Sequence, residues 1–163
     1  MHKILAFDPG SRTTGWAALT CEPLTYFNSG IYKLGSGDFF ERMKLLKKLV
    51  TPLLTEFRPN ILVLERAFVG VNKETALKLA QIRGGLMALC AEEGLSYIEY
   101  TPRQAKQLIT GYGAASKEQV SIMIEKLLKR SFSNNLDETD ALSLALCHYF
   151  CHKRHFLLTQ SNG

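Results

Sequence analysis

Lys3-Ile4-Leu5-Ala6-Phe7-Asp8-Pro9-Gly10-Ser11 sets an apolar run against an acid and then a turn. A run of this length closed by turn residues reads as a buried strand, and Pro9-Gly10 ends it directly after Asp8. A carboxylate at the tip of a buried strand is costly unless a cation or hydrogen-bond donors meet it. Two readings of Asp8 stand side by side here. It starts the turn, as Asp often does, or it faces a metal or a phosphate.

Working outward, the same pattern returns at Ile61-Leu62-Val63-Leu64-Glu65, again four apolar residues and an acid. Between the two, Thr13 to Leu19 reads as a strand hairpin-linked to the first, and Leu24 to Leu34 as a third, bulged at Gly30. Phe39 to Phe57 repeats its apolar residues at three and four, which predicts an amphipathic helix closed by Pro59. After Glu65 comes a loop, Ala67 to Asn72. Asn72 caps a helix to about Glu93 that carries Lys73, Lys78 and Arg83 and the small residues Ala76, Ala80, Gly84 and Gly85. Tyr97 to Tyr100 reads as a short strand. Thr101-Pro102-Arg103-Gln104 and Ser116-Lys117-Glu118-Gln119 each carry the capping-box spacing of a helix start. The last helix is expected from about Asp137 to Lys153, with a frayed, flexible tail over 154–163. The order βββαβαβααα makes residues 1–153 one α/β domain whose first three strands form an antiparallel meander.

The bulk properties narrow the field. The chain has 163 residues, 46% hydrophobic and 21% charged, an ordinary globular composition. The net charge of +5 leans toward a polyanionic partner. No stretch approaches the ~18 apolar residues of a membrane span, and the N-terminus lacks a signal-peptide pattern, so a cytoplasmic location is expected. Cys21, Cys90, Cys147 and Cys151 form no Cys-x-x-Cys pair and read as reduced thiols. Cys147, His148, Cys151 and His152 invite a zinc reading, but residues one apart on a helix diverge, and the four cannot converge on one ion.

Four acids stand out by position. If the strands ending in Asp8 and Glu65 are parallel neighbours, both carboxylates emerge at one sheet edge, where open α/β sheets place their sites. Asp137 and Asp140 lie three apart on the first turn of the last helix and share a face, with Ala141, Leu144, Ala145 and His148 behind them to pack on a sheet. Singly, either is explained by helix capping. Together, four convergent carboxylates require cations, and all-oxygen ligands favour Mg²⁺ or Mn²⁺. Two such ions about 3.5–4 Å apart drive in-line cleavage of phosphodiesters.

Phe7 to Gly15, Leu64-Glu65-Arg66-Ala67-Phe68, Ala76 to Gly84 and Asp137-Glu138-Thr139-Asp140-Ala141-Leu142 resemble, in this order, the RuvC family of bacterial Holliday-junction resolvases. The resemblance spans roughly residues 1–153. It implies an RNase H-like fold with a five-stranded mixed sheet. It also implies a homodimeric, Mg²⁺-dependent endodeoxyribonuclease with two ions per subunit and Mn²⁺ as a possible substitute. Such an enzyme makes paired nicks at a four-way DNA junction during recombination and repair, leaves 5′-phosphates, and works with the RuvA–RuvB branch-migration motor. By motif, Asp8, Glu65, Asp137 and Asp140 map onto the metal-binding catalytic acids. Phe68 maps onto an aromatic that contacts unpaired bases, and Lys106 and Lys117 onto basic residues near the scissile phosphate. Lys73, Lys78 and Arg83 are further candidate DNA contacts, and Ser11 and Arg12 are candidate phosphate contacts in the first turn. Two other readings compete. Asp-x-Gly turns followed by Thr-Gly occur in actin-like ATP-binding phosphotransferases, which are usually larger and two-domained. A junction-binding module without catalysis would not need all four acids.

Overall fold

The computed structural model describes residues 1–66, 73–132 and 135–160, with side chains to residue 155. Its elements are β1 (Lys3–Pro9), β2 (Thr13–Cys21), β3 (Leu24–Lys33), α1 (Phe39–Phe57), β4 (Ile61–Glu65), α2 (Lys73–Glu92), β5 (Ser96–Tyr100), α3 (Pro102–Thr110), α4 (Lys117–Leu128) and α5 (Leu136–Gln160). The sheet runs β3-β2-β1-β4-β5. β1 pairs antiparallel with β2 and parallel with β4, and β5 adds in parallel to β4. The expected five-stranded mixed sheet with its leading meander is therefore present.

Strand alternation sorts the core into two layers. Ile4, Ala6, Ala17, Leu19, Ile61, Val63 and Tyr100 face α3, α4 and α5. Leu5, Phe7, Trp16, Ala18, Leu62 and Leu64 face α1 and α2. α5 is the centre of the first layer. Every residue from Ala141 to His148 is buried, because α5 is covered by the sheet on one side and by α3 and α4 on the other. A helix covered all round must be apolar all round, which is why this stretch has no polar stripe. Ala6 and Ala17 on the sheet and Ala141 and Ala145 on the helix are all buried small residues, the kind that let the two backbones approach.

Both capping boxes form: the Thr101 and Ser116 side chains accept from the backbone N–H of Gln104 and Gln119, and the two glutamines reach back. Two expectations are corrected. The irregularity between β2 and β3 falls after Ala18, where Phe27 is skipped, and not at Gly30. Gly30 pairs in register with Trp16, and a Cβ there would meet the indole at 3.4 Å, so glycine serves ring packing at that position. The last helix does not stop at Lys153 but continues to Gln160, since 154–160 holds neither glycine nor proline to break it. Asn72 and Phe68 lie outside the described residues.

At the sheet end away from Asp8, His2 Nε2 lies 3.1 Å from His148 Nε2, and the Tyr100 hydroxyl meets His148 Nδ1 at 2.9 Å. His152 stacks on His2 at 4.2 Å between ring centroids and meets Glu22 at 3.3 Å. The cysteines are free thiols, and among the described residues no three His, Cys, Asp or Glu side chains close round a common point as metal ligands would. Burial, and then the charges of His2 and His152, push His148 down to about 4. The unfolded chain therefore binds a proton that the folded chain refuses between pH ~6.5 and ~4. Stability is complete above that window and falls as pH drops through it, by on the order of 3 kcal/mol at most. Urea unfolding at pH 7 and pH 4.5 should show this loss, and His148→Gln should flatten it. An equal slope in both proteins would place the titration elsewhere.

Candidate active site

The last registered pair between β1 and β4 is Phe7 with Leu64, so Asp8 and Glu65 are the next residues on adjacent parallel strands. By alternation both acids share the face of Ile4, Ala6, Ile61 and Val63, which is the α5 face. The N-terminal end of α5, with Asp137 in its first turn and Asp140 just beyond it, brings both acids to the same corner. Asp8 and Glu65 are half-buried at this strand end, as the apolar runs behind them imply.

The electrostatics record the convergence. Burial raises Asp8 to about 7, and the negative charges of Asp140, Glu65 and Asp137 push in the same direction. Glu65 is also raised, by burial and then by Asp140, with Lys117 and Arg83 opposing. The acids are not bare. The Thr13 hydroxyl donates to Asp137 Oδ2 at 2.6 Å, and the Lys117 ammonium reaches Asp140 Oδ2 at 3.0 Å. That hydrogen bond to Asp140 holds the Lys117 ammonium above the usual lysine range. The four carboxylates thus crowd one corner without closing into a finished cage, as like charges would.

Glu65, Lys106, Lys117 and Asp140 line a single cleft, floored by Ala105, Val120 and Leu144. α3 leaves β5 directly through the Thr101 capping box and carries Lys106 in its second turn, and Lys117 opens α4 after the Ser116 cap. Both lysines therefore face the cleft that Glu65 and Asp140 also line.

Two further residues shape the corner. Gly15 pairs with Asp8 across the sheet and faces α5. A Cβ on it would lie 1.9 Å from the Asp137 carbonyl oxygen, so only glycine lets the first turn of α5 rest this close to β2. Thr13 and Gly15 escape a sequence reading because their partner is more than a hundred residues away. The Thr-Thr-Gly string after the first turn is the one local sign.

Arg83 is a correction. It is not available to DNA, being 7% exposed with its guanidinium donating to the Glu65 carbonyl, the Tyr97 hydroxyl and the Glu99 carboxylate. The reason is its place beside Ile82 and Leu86 on the buried side of α2. Arg42 behaves alike in α1: it is buried, donates to the Ser11 carbonyl and lies over the Phe39 ring at 4.9 Å. The Arg12 carbonyl accepts from Leu34 and Gly35, while its side chain is exposed. Lys73 is exposed, and Lys78 pairs with Glu74 on the surface.

Among the described residues no helix is long and apolar enough to cross a membrane. Residues 4–148 match the family described as "Crossover junction endodeoxyribonuclease RuvC". A protein of that name from Pseudomonas fluorescens (strain SBW25) is 38% identical over 165 residues, covering 100% of this chain and 94% of its own length. Among solved structures, the Thermus thermophilus RuvC structure superposes with a TM-score of 0.84 at 27% identity, covering 94% of this chain and 96% of its own. "T. thermophilus RuvC in complex with Holliday junction substrate" superposes with a TM-score of 0.85 at 24% identity and the same coverage.

Proposed function

The chain belongs to the RuvC family of crossover junction endodeoxyribonucleases, and on that premise we propose that it cuts DNA at the corner where β1, β4 and α5 meet. It is a Holliday-junction resolvase, a phosphodiester hydrolase of recombination and repair. The observation that carries the site assignment is the corner where Asp8 and Glu65 at the strand ends meet Asp137 and Asp140 on α5, with Asp8 raised to about 7 by burial and by the negative charges of the other three.

The donor chemistry fits a hard divalent cation. Every candidate ligand is a carboxylate oxygen, and a crowded, half-buried acid cluster is relieved by positive charge. Asp8, Glu65, Asp137 and Asp140 would hold Mg²⁺, with Mn²⁺ as a substitute and two ions per subunit. Such ions supply Lewis-acid stabilisation of the phosphate and an activated water. Thr13 keeps one Asp137 oxygen in place. Lys117 neutralises Asp140 and, with Lys106 across the cleft, offers ammonium groups to the phosphate. The products are 5′-phosphates and 3′-hydroxyls. The nuclease domain takes in all of α5, past the expected end at residue 153 to Gln160.

The DNA partner is a four-way junction, the substrate with which the Thermus thermophilus RuvC forms its solved complex. The two-fold symmetry of such a junction suits a homodimer. α2 supports that assembly: Leu77, Ala80, Gly84 and Met87 lie exposed at helical spacing, and a Cβ on Gly84 would meet nothing within 4 Å. Sedimentation of the purified chain tests it, and a monomer at micromolar concentration removes it. RuvA–RuvB is the expected motor partner, tested by co-sedimentation on a junction.

A synthetic four-way junction incubated with and without Mg²⁺ is the central experiment. Symmetric, Mg²⁺-dependent nicks are expected, and an uncut junction overturns the site and the activity alike. In the same assay Phe68→Ala should bind the junction and cut it about tenfold more slowly, because base–aromatic stacking contributes ~1–3 kcal/mol. A junction with bases already unpaired should recover part of the rate. Unchanged cutting by Phe68→Ala, or a lower melting temperature with full activity per folded molecule, would assign the ring to packing.

A further inference from the structure

Arg83 sits on the opposite side of the sheet from the four carboxylates. Tyr97 and Glu99 on β5 alternate with Ile98 and Tyr100, so they face α2 while Tyr100 faces α5. The α2 side chain that meets them is Arg83. Its Nη2 serves the Tyr97 hydroxyl at 3.1 Å and the Glu99 carboxylate, and the Tyr97 hydroxyl also donates to Glu99. Its Nη1 goes elsewhere, to the main-chain carbonyl of Glu65.

That second bond is informative. Neutralising Glu99 needs only one edge of the guanidinium. The other edge grips the backbone of the residue that carries a cleft carboxylate, at the tip of β4. There the β1 side of the ladder has already ended at Leu64, and the β5 side retains the bond from Arg66 N–H to the Tyr100 carbonyl at 2.8 Å. A planar guanidinium spreads five N–H donors over three nitrogens and so reaches acceptors on two separate edges, whereas the three donors of an ammonium all radiate from one nitrogen.

We propose that Arg83, oriented by Glu99 and Tyr97, is a positioning residue that fixes the Glu65 backbone from behind the sheet and so aims the Glu65 carboxylate into the cleft. The proposal rests on the reading of Glu65 as a metal-binding acid. Arg83 touches neither DNA nor the reacting phosphate. Its effect reaches the chemistry through the strand, and small displacements of a reacting group have large effects on rate.

The test uses the full chain with Arg83→Lys, which keeps the charge, and Glu99→Gln, which keeps the arginine and loosens its orientation. Mn²⁺ binding without DNA is followed by calorimetry, and junction cutting is resolved into kcat and KM per folded molecule. Both variants should bind Mn²⁺ about tenfold more weakly and lose about tenfold in kcat, with KM within twofold of the parent. The double variant should be little worse than either single one, because both act through one contact. A merely structural Arg83 would lower the melting temperature and leave Mn²⁺ affinity and kcat unchanged, and that result overturns the proposal. Loss in KM alone overturns it too, in favour of a DNA contact. A parent chain that binds Mn²⁺ but cuts no junction would instead sink the nuclease reading, which the Mn²⁺ arm does not depend on.

Discussion

Asp8→Asn is expected to lower junction cutting by roughly a thousandfold while leaving junction affinity within about twofold. The substitution keeps the shape and removes the charge. Affinity for DNA comes from lysine and arginine contacts to phosphate, and those are untouched. The chemistry loses the carboxylate at the centre of the acid cluster, the one that Asp140, Glu65 and Asp137 all press upon. The same crowding gives the prediction a second, independent arm. Asp8 is held half-buried against burial and three like charges, at a cost to the fold, so Asp8→Asn should melt at a higher temperature than the parent. Cutting within tenfold of the parent rate would move the active site elsewhere. Unchanged melting would mean that the cluster is solvated more fully than its burial implies.

Gly15→Ala carries the second large effect. One methyl group placed 1.9 Å from the Asp137 carbonyl oxygen meets backbone, which has no rotamer to escape into. α5 must retreat by about an ångström or β2 must bend, and overpacking of this kind typically costs 1–3 kcal/mol. Retreat also draws Asp137 away from Thr13 and Asp8, and a misplacement of about 1 Å is enough for a roughly hundredfold loss of rate. Loss of activity in the folded fraction should therefore exceed what the lower melting temperature explains. Ala18, buried on the other face of the same strand, offers a comparison: Ala18→Gly should cost stability without this loss of specific activity. If Gly15→Ala folds and cuts normally, the close approach of α5 to β2 is not what aligns the acids.

The parts of this molecule that the sequence shows are those governed by neighbours along the chain. Two apolar runs ending in acids are strands because period and punctuation are local signals, whereas their parallel pairing enters the sequence reading only as a condition, since it joins Ile4 to Ile61 and Phe7 to Leu64. The capping boxes at Thr101 and Ser116 formed as written because cap, third residue and first turn lie within four positions. What was not legible depends on partners distant in sequence. Gly30 looks like a bulge until Trp16 is placed against it. Arg83 looks like one more cation on a helix with a polar face, since nothing nearby announces that Glu99 and the Glu65 carbonyl will enclose it. Thr13 and Gly15 have meaning only once α5 has docked. α5 outruns the length its sequence suggests because its residues beyond 153 lack periodicity, while the chain also offers nothing there to end a helix.

The burial of α5 at the middle of the fold has a consequence in time. Asp8 and Glu65 leave the ribosome early, while Asp137 and Asp140 follow on a helix that is also the centre of one core layer. At about 5–20 residues per second, on the order of ten seconds separate the first acid from the last. During that interval the nascent chain carries basic side chains able to meet DNA but only half of its acids. A chain truncated after residue 128 should leave four-way junctions intact for the same reason. Docking α5 completes this core layer and the acid cluster in one event, so the order of synthesis itself withholds the cluster until that helix is in place.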